Sequence, residues 1–350
     1  MKVLISGYYG FGNAGDEAIL YAMIEVLKAC DPNIDITVLS DKPEQTRRIF
    51  NVNAVNRWRI FEICKALKEA DGLLSGGGSL LQDKTSWRTI PYYTSIMLLA
   101  RILKKPFVVF AQGLGPIHRG FNYWLVKAIL SKASLISMRD EDSRALLQRM
   151  GVKQDIDLVP DPVLGLGGQW RIQKNKETPT VMVSIRSWPE YSGFHDKVSA
   201  ALDRCVRKGF RVIFLPMHGK EDRDTAENVK RRMSGNADVV DYTMSFIDKL
   251  SMVGQADVLI GNRLHALIFA AVSCVPFVAL SYDPKVDAFA KQCQQPLLGF
   301  EEWGEEDLYD LIMSQADCRQ SESDKLEALI SAQNGTLFSA AKKSLSALQK

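Results

Sequence analysis

The chain opens with KVLISGYYGFGNAGDEAIL (Lys2–Leu20): a short apolar run, a glycine-rich turn, and a segment with helical periodicity from about Asp16 to Ala29. An apolar run feeding a glycine turn and then an amphipathic helix is the first βα step of a parallel sheet. Gly10-x-Gly12-x-x-Gly15 has the letters of a dinucleotide-binding loop. That loop needs its first glycine directly after the strand, where Gly7 stands instead, three residues ahead of Gly10. Asp16 and Glu17 follow at once. Carboxylates in a first helical turn suit the helix dipole but repel a pyrophosphate, so NAD is excluded. Two readings remain: a helix start capped by Asp16, or a loop that presents Asn13 and Asp16 to a neutral, hydroxyl-rich ligand.

The same alternation continues. DITVLS, a helix near Ile60–Glu69, GLLSGGG, a helix near Tyr93–Leu103, FVVFAQG, a helix near Tyr123–Ser131 and LISMRD follow in order. The pattern fails over VLGLGGQWRIQKNKETP (Val163–Pro179), which reads as an interdomain connection. It restarts with TVMVSIR, RVIFLPM, ADVVDY, ADVLIG and PFVALS, separated by helical stretches. Two α/β halves of similar size predict two Rossmann-like domains, residues 1–165 and 166–320, facing each other across a cleft. Residues 321–350 read as a helical tail broken near Asn334-Gly335.

Composition narrows the class. A net charge of +3 on 350 residues gives no footprint for nucleic acid. The six cysteines are scattered without CxxC spacing, as in a cytoplasmic protein with reduced thiols. Neither a signal peptide nor a membrane-spanning run is expected from these residues. HxH, HExxH and CxxC patterns are missing, so no metal is expected, and without a G-x-S-x-G elbow neither is a serine hydrolase.

The candidate site residues cluster at strand ends. Besides Asn13 and Asp16, SGGGSLLQD (Ser75–Asp83) offers Ser79, Gln82 and Asp83, and AQGLGP (Ala111–Pro116) offers Gln112. In the second half Arg186 ends VSIR, His218 follows FLPM, and GNRLHALIFAA brings Asn262, Arg263 and His265 to the start of a helix. That helix start suits a phosphate or carboxylate. Lys285 lies after the next strand, and Arg139 follows LISM.

Taken together, GYYGFGNAGDEAIL, GLLSGGGSLLQD, FAQGLGP, SMRDEDS, DPVL and GNRLHALIFAAV resemble the polysaccharide pyruvyl transferases, most closely the bacterial CsaB type. The likeness runs from residue 1 to about 290. It implies two Rossmann-like domains arranged as in GT-B glycosyltransferases, with phosphoenolpyruvate as donor and no cofactor. A sugar hydroxyl pair is the implied acceptor and a pyruvate ketal the product. For the CsaB type the acceptor is N-acetylmannosamine in a lipid-linked precursor of a secondary cell-wall polymer, and the ketal serves S-layer anchoring. The resemblance assigns the donor to Arg263 and His265 with Lys285, Asn262 and one further arginine, Arg139 or Arg186.

Phosphoenolpyruvate carries nearly three negative charges, and without a metal it needs several fixed cations. His265 is the natural acid for its methylene carbon, and Asp16 or Asp83 the base for a sugar hydroxyl. Asn13, Ser79, Gln82 and Gln112 are the acceptor-side candidates. The expected location is the cytoplasm, at the inner membrane face if the basic segment RWRIFEICKALK (Arg57–Lys68) touches lipid; a solvated helix face is the other reading of that segment. Two competing functions share part of this pattern. One is a GT-B glycosyltransferase using a nucleotide sugar. The other is a non-catalytic polysaccharide-binding protein, for which Tyr8, Tyr9, Trp87 and Trp188 are the sugar-stacking aromatics.

Overall fold

The computed structural model describes residues 1–84, 86–167, 178–187, 193–299 and 303–349. Most of the expected connection Val163–Pro179 lies outside the described residues, as does Trp188. The chain forms two compact units. The first comprises Met1–Phe11, Asp16–Gly165 and Gln333–Lys350; the second comprises Leu166–Ala332 together with the short segment Gly12–Gly15.

The first unit holds seven strands: β1 (Lys2–Ser6), β2 (Asp35–Ser40), β3 (Asn53–Asn56), β4 (Gly72–Gly76), β5 (Phe107–Gln112), β6 (Leu135–Met138) and β7 (Ile156–Leu158). Their order is β3-β2-β1-β4-β5-β6-β7 and every pairing is parallel. Every residue of β4 and β5 is buried, as expected for central strands covered on both faces. Helices α1 (Ala14–Cys30), α2 (Pro43–Phe50), α3 (Ile60–Glu69), α4 (Thr89–Ile102), α5 (Gly120–Leu130) and α6 (Glu141–Arg149) connect them.

The second unit repeats the plan with β8 (Thr180–Ser184), β9 (Arg211–Phe214), β10 (Ala237–Val239), β11 (Val258–Gly261), β12 (Phe277–Leu280) and β13 (Leu297–Leu298). The order is β10-β9-β8-β11-β12-β13, again all parallel. Its helices are α7 (Phe194–Arg207), α8 (Gly219–Lys230), α9 (Phe246–Gly254), α10 (Leu264–Val272), α11 (Pro284–Gln292) and α12 (Glu305–Asp317), before the terminal α13 (Arg319–Leu348).

The last helix departs from expectation. It runs unbroken through Asn334 and Gly335. A glycine inside a helix costs about 1 kcal/mol relative to alanine. That cost is outweighed by a buried face of Leu326, Ile330, Leu337, Ala341, Leu345 and Leu348, spaced at three, four and seven residues. Leu337 and Leu348 fill the space over Gly165 and Gly72, where a Cβ would clash with them.

Candidate active site

Ligands of open parallel sheets bind outside the carboxyl ends of the strands, where the strand order reverses. In the first unit that point lies between β1 and β4. Loops after β1, β4, β5, β6 and β7 gather around one arginine there. Arg139 Nη1 donates to Asp161 Oδ2 at 3.2 Å and its Nη2 to Ser79 Oγ at 2.9 Å, while Nε lies 3.5 Å from Asp140 Oδ2. The guanidinium is buried, and Gly113 abuts it with no room for a side chain. Gln112 is fully buried; its Nε2 reaches Ser75 Oγ at 3.5 Å and its Oε1 has no partner among the described residues. The register of β5 against β6 slips between Val109 and Gln112, and Ala111 takes a positive φ of 47°. Bulges and strained residues of this kind re-aim side chains beside functional sites.

Asp16 stands in the first turn of α1, against Gly78, whose φ is +73°. Burial pushes its carboxyl up to about 7, helped by the Glu17 charge and opposed by Arg139. A carboxyl titrating near neutral pH is suited to proton transfer. Asp83 is built differently. Its carboxylate accepts from His118 N at 2.8 Å, Arg119 N at 3.0 Å and Asn122 Nδ2 at 3.0 Å. Burial alone would raise its pKa, but these donors outweigh it and hold the group below the ordinary range. The geometry therefore makes Asp83 the anchor of the chain leading into α5 and a poor proton acceptor. Gln82 Oε1 accepts from Lys84 N at 2.8 Å in a local turn.

In the basic segment Arg57–Lys68, Trp58, Ile60 and Phe61 are exposed, but Arg57 is not. It is buried, donates to Gly7 O at 2.9 Å and Tyr93 Oη at 3.3 Å, and lies over the rings of Phe11, Trp58, Tyr92 and Tyr93. Cation–π contacts stand in for a carboxylate here, and the residue braces the glycine loop after β1. Tyr9 is buried as well, whereas Tyr8 stacks on Phe11 at 4.1 Å.

In the second unit the corresponding point lies between β8 and β11. Asn262 Oδ1 accepts from Arg186 N at 2.7 Å and its Nδ2 donates to Arg186 O at 2.9 Å. Asn262 thus clasps the Arg186 backbone instead of presenting its amide to a ligand, and the Arg186 side chain is exposed. Arg263 holds Asp222 through Nε at 3.0 Å to Oδ2 and through Nη2 to Oδ1. Asp222 is buried and also accepts from Met217 N at 3.2 Å and His218 N at 2.9 Å. Lys249 on α9 is buried too. Its Nζ donates to Tyr242 O at 2.9 Å, and burial brings it down to about 8 against the pull of Asp222 and Asp241. Burial, then the Arg263 charge, lower the pKa of His218, whose Nδ1 has no partner among the described residues.

The segment Gly12–Gly15 belongs to this cluster. Asn13 pairs with His218 in an antiparallel bridge, Ala14 N donates to Met217 O at 3.2 Å, and Asn13 Oδ1 accepts from Gly15 N at 3.1 Å. A Cβ on Gly15 would lie 2.2 Å from His265 Nδ1, so only glycine lets the start of α1 meet that ring. Asn13, expected on the acceptor side, therefore sits with the cations. His265 occupies the first turn of α10, and Lys285 the first turn of α11, where Asp283 caps its amide at 3.0 Å.

Sequence reading missed Asp222, Lys249 and Asp161. Asp222 lies in GKEDRD and looks like any acid in a first helical turn. Lys249 lies on an ordinary amphipathic helix. Asp161 had a signal, since it opens the DPVL motif.

The polysaccharide pyruvyl transferase family model matches residues 13–284. The amylovoran biosynthesis protein AmsJ of Erwinia amylovora is 20% identical, covering 85% of this chain and 87% of its own length. Among solved structures, the UDP-GlcNAc 2-epimerase of Neisseria meningitidis superimposes with a TM-score of 0.67 at 13% identity over 99% of this chain and 100% of its own. MurG of Acinetobacter baumannii does so with 0.58 at 11% over 99% of both chains. These neighbours are GT-B-like and bear on the fold alone. With the family model spanning both strand-end clusters, from Asn13 through Asp16, Arg139 and Arg263 to the start of α11, the chain belongs to the polysaccharide pyruvyl transferase family.

Proposed function

We propose that this protein moves the pyruvyl group of phosphoenolpyruvate onto a pair of sugar hydroxyls, forming a pyruvate ketal and releasing phosphate. The observation that carries the reading is the donor cluster of the second unit: Arg186 exposed, Arg263 fixed by Asp222, and the imidazoles of His218 and His265 beside the Gly12–Gly15 loop. A small trianion needs such fixed donors. Arg186 is the further donor arginine in this reading, because it follows β8, next to the β11 end that carries Arg263, and its side chain is exposed, whereas Arg139 belongs to the first unit's cluster. Lys285 stands at the neighbouring strand end as a further cation.

The chemistry runs in two steps. His265 gives a proton to the methylene carbon, and the oxocarbenium-like carbon takes the first sugar oxygen as Asp16 accepts that hydroxyl's proton. The carbon–oxygen bond to phosphate then breaks, the second hydroxyl attacks the same carbon, and its proton leaves with the phosphate. One hydroxyl proton is thus balanced by the new methyl hydrogen and the other by hydrogen phosphate. Ser79 and Gln112 are the acceptor-side hydrogen-bonding groups, with Gln82 at the edge of the same loop. The acceptor best suited to the CsaB-type resemblance is N-acetylmannosamine in a lipid-linked cell-wall precursor. That substrate implies a cytoplasmic enzyme working at the inner membrane face, in secondary polymer synthesis for S-layer anchoring.

The test is incubation with phosphoenolpyruvate and a panel of lipid-linked saccharides, reading phosphate release and product mass, with UDP-sugars as the competing donors. Product heavier by one ketal-linked pyruvyl group, with one phosphate released, is expected. Glycosyl transfer from a UDP-sugar, or phosphoenolpyruvate left intact with every acceptor, would overturn the reading.

A further inference from the structure

Between Asp83 and Asp140 the sequence holds no Asp or Glu but nine Lys or Arg. The rest of the chain carries thirty-five basic and forty-one acidic residues, so this one stretch is the source of the protein's positive charge. It folds into β5 and the helices α4 and α5, which pack against each other within the first unit. Their inward faces are apolar core: Ile90, Tyr93 and Met97 on α4, and Val126, Ile129 and Leu130 on α5. Their outward faces are apolar as well. Leu98 and Ile102, one turn apart on α4, are 45% and 67% exposed; Phe121 and Trp124, one turn apart on α5, are 63% and 60% exposed. The two aromatic rings stack at 6.2 Å.

Single exposed apolar residues are ordinary on a protein surface, but four large ones on the outer faces of two adjacent helices are not. Arg101 and Lys104 lie in and just after the last turn of α4, and Lys127 and Lys132 in and just after that of α5; all are exposed, and none forms an ion pair among the described residues.

We infer that the outward α4–α5 face of the first unit binds the surface of an anionic lipid bilayer, with Leu98, Ile102, Phe121 and Trp124 entering the interface. Apolar and aromatic side chains reach the headgroup boundary, and the lysines and arginines meet lipid phosphates. Tryptophan is especially suited to that depth. No helix among the described residues is long and apolar enough to cross a membrane, so this contact is a surface one. The inference rests on charge and exposure alone and stands apart from the assignment of the reaction. An acidic protein partner would use the same charge, but it would not need bulky side chains standing free on both helices.

The test is sedimentation of the full-length protein with vesicles of phosphatidylcholine, with and without phosphatidylglycerol. The protein should pellet with the anionic vesicles, less with the neutral ones, and less again at high salt. Ile102→Glu/Trp124→Glu and, separately, Arg101→Glu/Lys127→Glu should each lower the partition coefficient about tenfold or more. Brominated lipids should quench wild-type tryptophan fluorescence and quench Trp124→Phe less, a readout that survives if a charge variant misfolds. Three results would overturn the inference: no pelleting above a vesicle-free control, binding that neither double variant weakens, or a solution dimer that those variants dissociate while lipid binding is absent. The last would mean that a second copy covers the face.

Discussion

The two units share one winding and differ in what they hold at it. Both order their first six strands 3-2-1-4-5-6, and both bring loops to the carboxyl ends of the central pair. In the first unit the Arg139 guanidinium lies among Asp161, Asp140 and Asp16. In the second the buried Asp222 carboxylate lies among Arg263, Lys249 and His218. Each buried charge has the partners that burial demands, but the surplus is acidic in one unit and basic in the other. In the proposed reading the winding decides where a ligand goes, and the surplus decides which ligand: a polyhydroxyl group that must lose protons, or a small polyanion.

The sharpest way to break that division is at His265. His265→Asn keeps a hydrogen-bonding side chain but removes the acid, so kcat should fall by about 10²–10⁴ while binding of phosphoenolpyruvate changes little. Wild-type turnover in D₂O should leave deuterium in the product methyl group. Binding that weakens in step with turnover would make the histidine a phosphate ligand.

Asp16 tests the acidic half. With its carboxyl near 7, kcat/KM should rise with pH through about 7 and level off above it. Asp16→Asn should lower the plateau by about 10²-fold and remove the rising limb. Stability follows from the same shift. The folded state binds the proton more tightly than a carboxyl at its usual 3.8, so wild type should lose stability relative to Asp16→Asn as pH rises from about 4 to about 7. Parallel stability curves for the two proteins would contradict the shift.

Gly15→Ala probes the loop that joins the second cluster. Its methyl group would displace the His265 ring, and a displacement near 1 Å can cost up to about 10²-fold in rate. An unchanged kcat would show that His265 needs no such fixing. The smallest effect is expected at Asp83. Asp83→Asn weakens the hydrogen bonds from His118 N and Arg119 N, so it should cost about 1 kcal/mol in thermal unfolding and leave the pH profile of kcat/KM intact. A lost rising limb would return Asp83 to the role of base.

The central strands were legible because buried parallel strands write themselves as apolar runs, as in TVMVS and FVVFAQ. Short or edge elements such as β3, β7, α2 and α6 were not, for they carry little apolar signal. The start of α4 was hidden by Pro91, which a first helical turn tolerates. The start of α5 depends on a carboxylate 36 residues away in sequence, which no local pattern can reveal. The same holds for the site. Glycine loops and the Asn-Arg-x-His run marked the right strand ends, yet the division of labour between Asp16 and Asp83, or Arg186 and Arg139, lies in long-range hydrogen bonds. Those bonds give Asn262 to the Arg186 backbone and Asp83 to α5.

Titration calorimetry with phosphoenolpyruvate on wild type, Arg186→Ala and Arg139→Gln addresses the division itself. Arg186 is exposed, so its loss should spare the fold, and a lost charge-assisted contact of about 1.5–3 kcal/mol corresponds to roughly ten- to a hundredfold weaker binding. Arg139→Gln should bind phosphoenolpyruvate almost as wild type does. The reverse pattern, with binding lost in Arg139→Gln and kept in Arg186→Ala, would move the donor to the first unit and contradict the account.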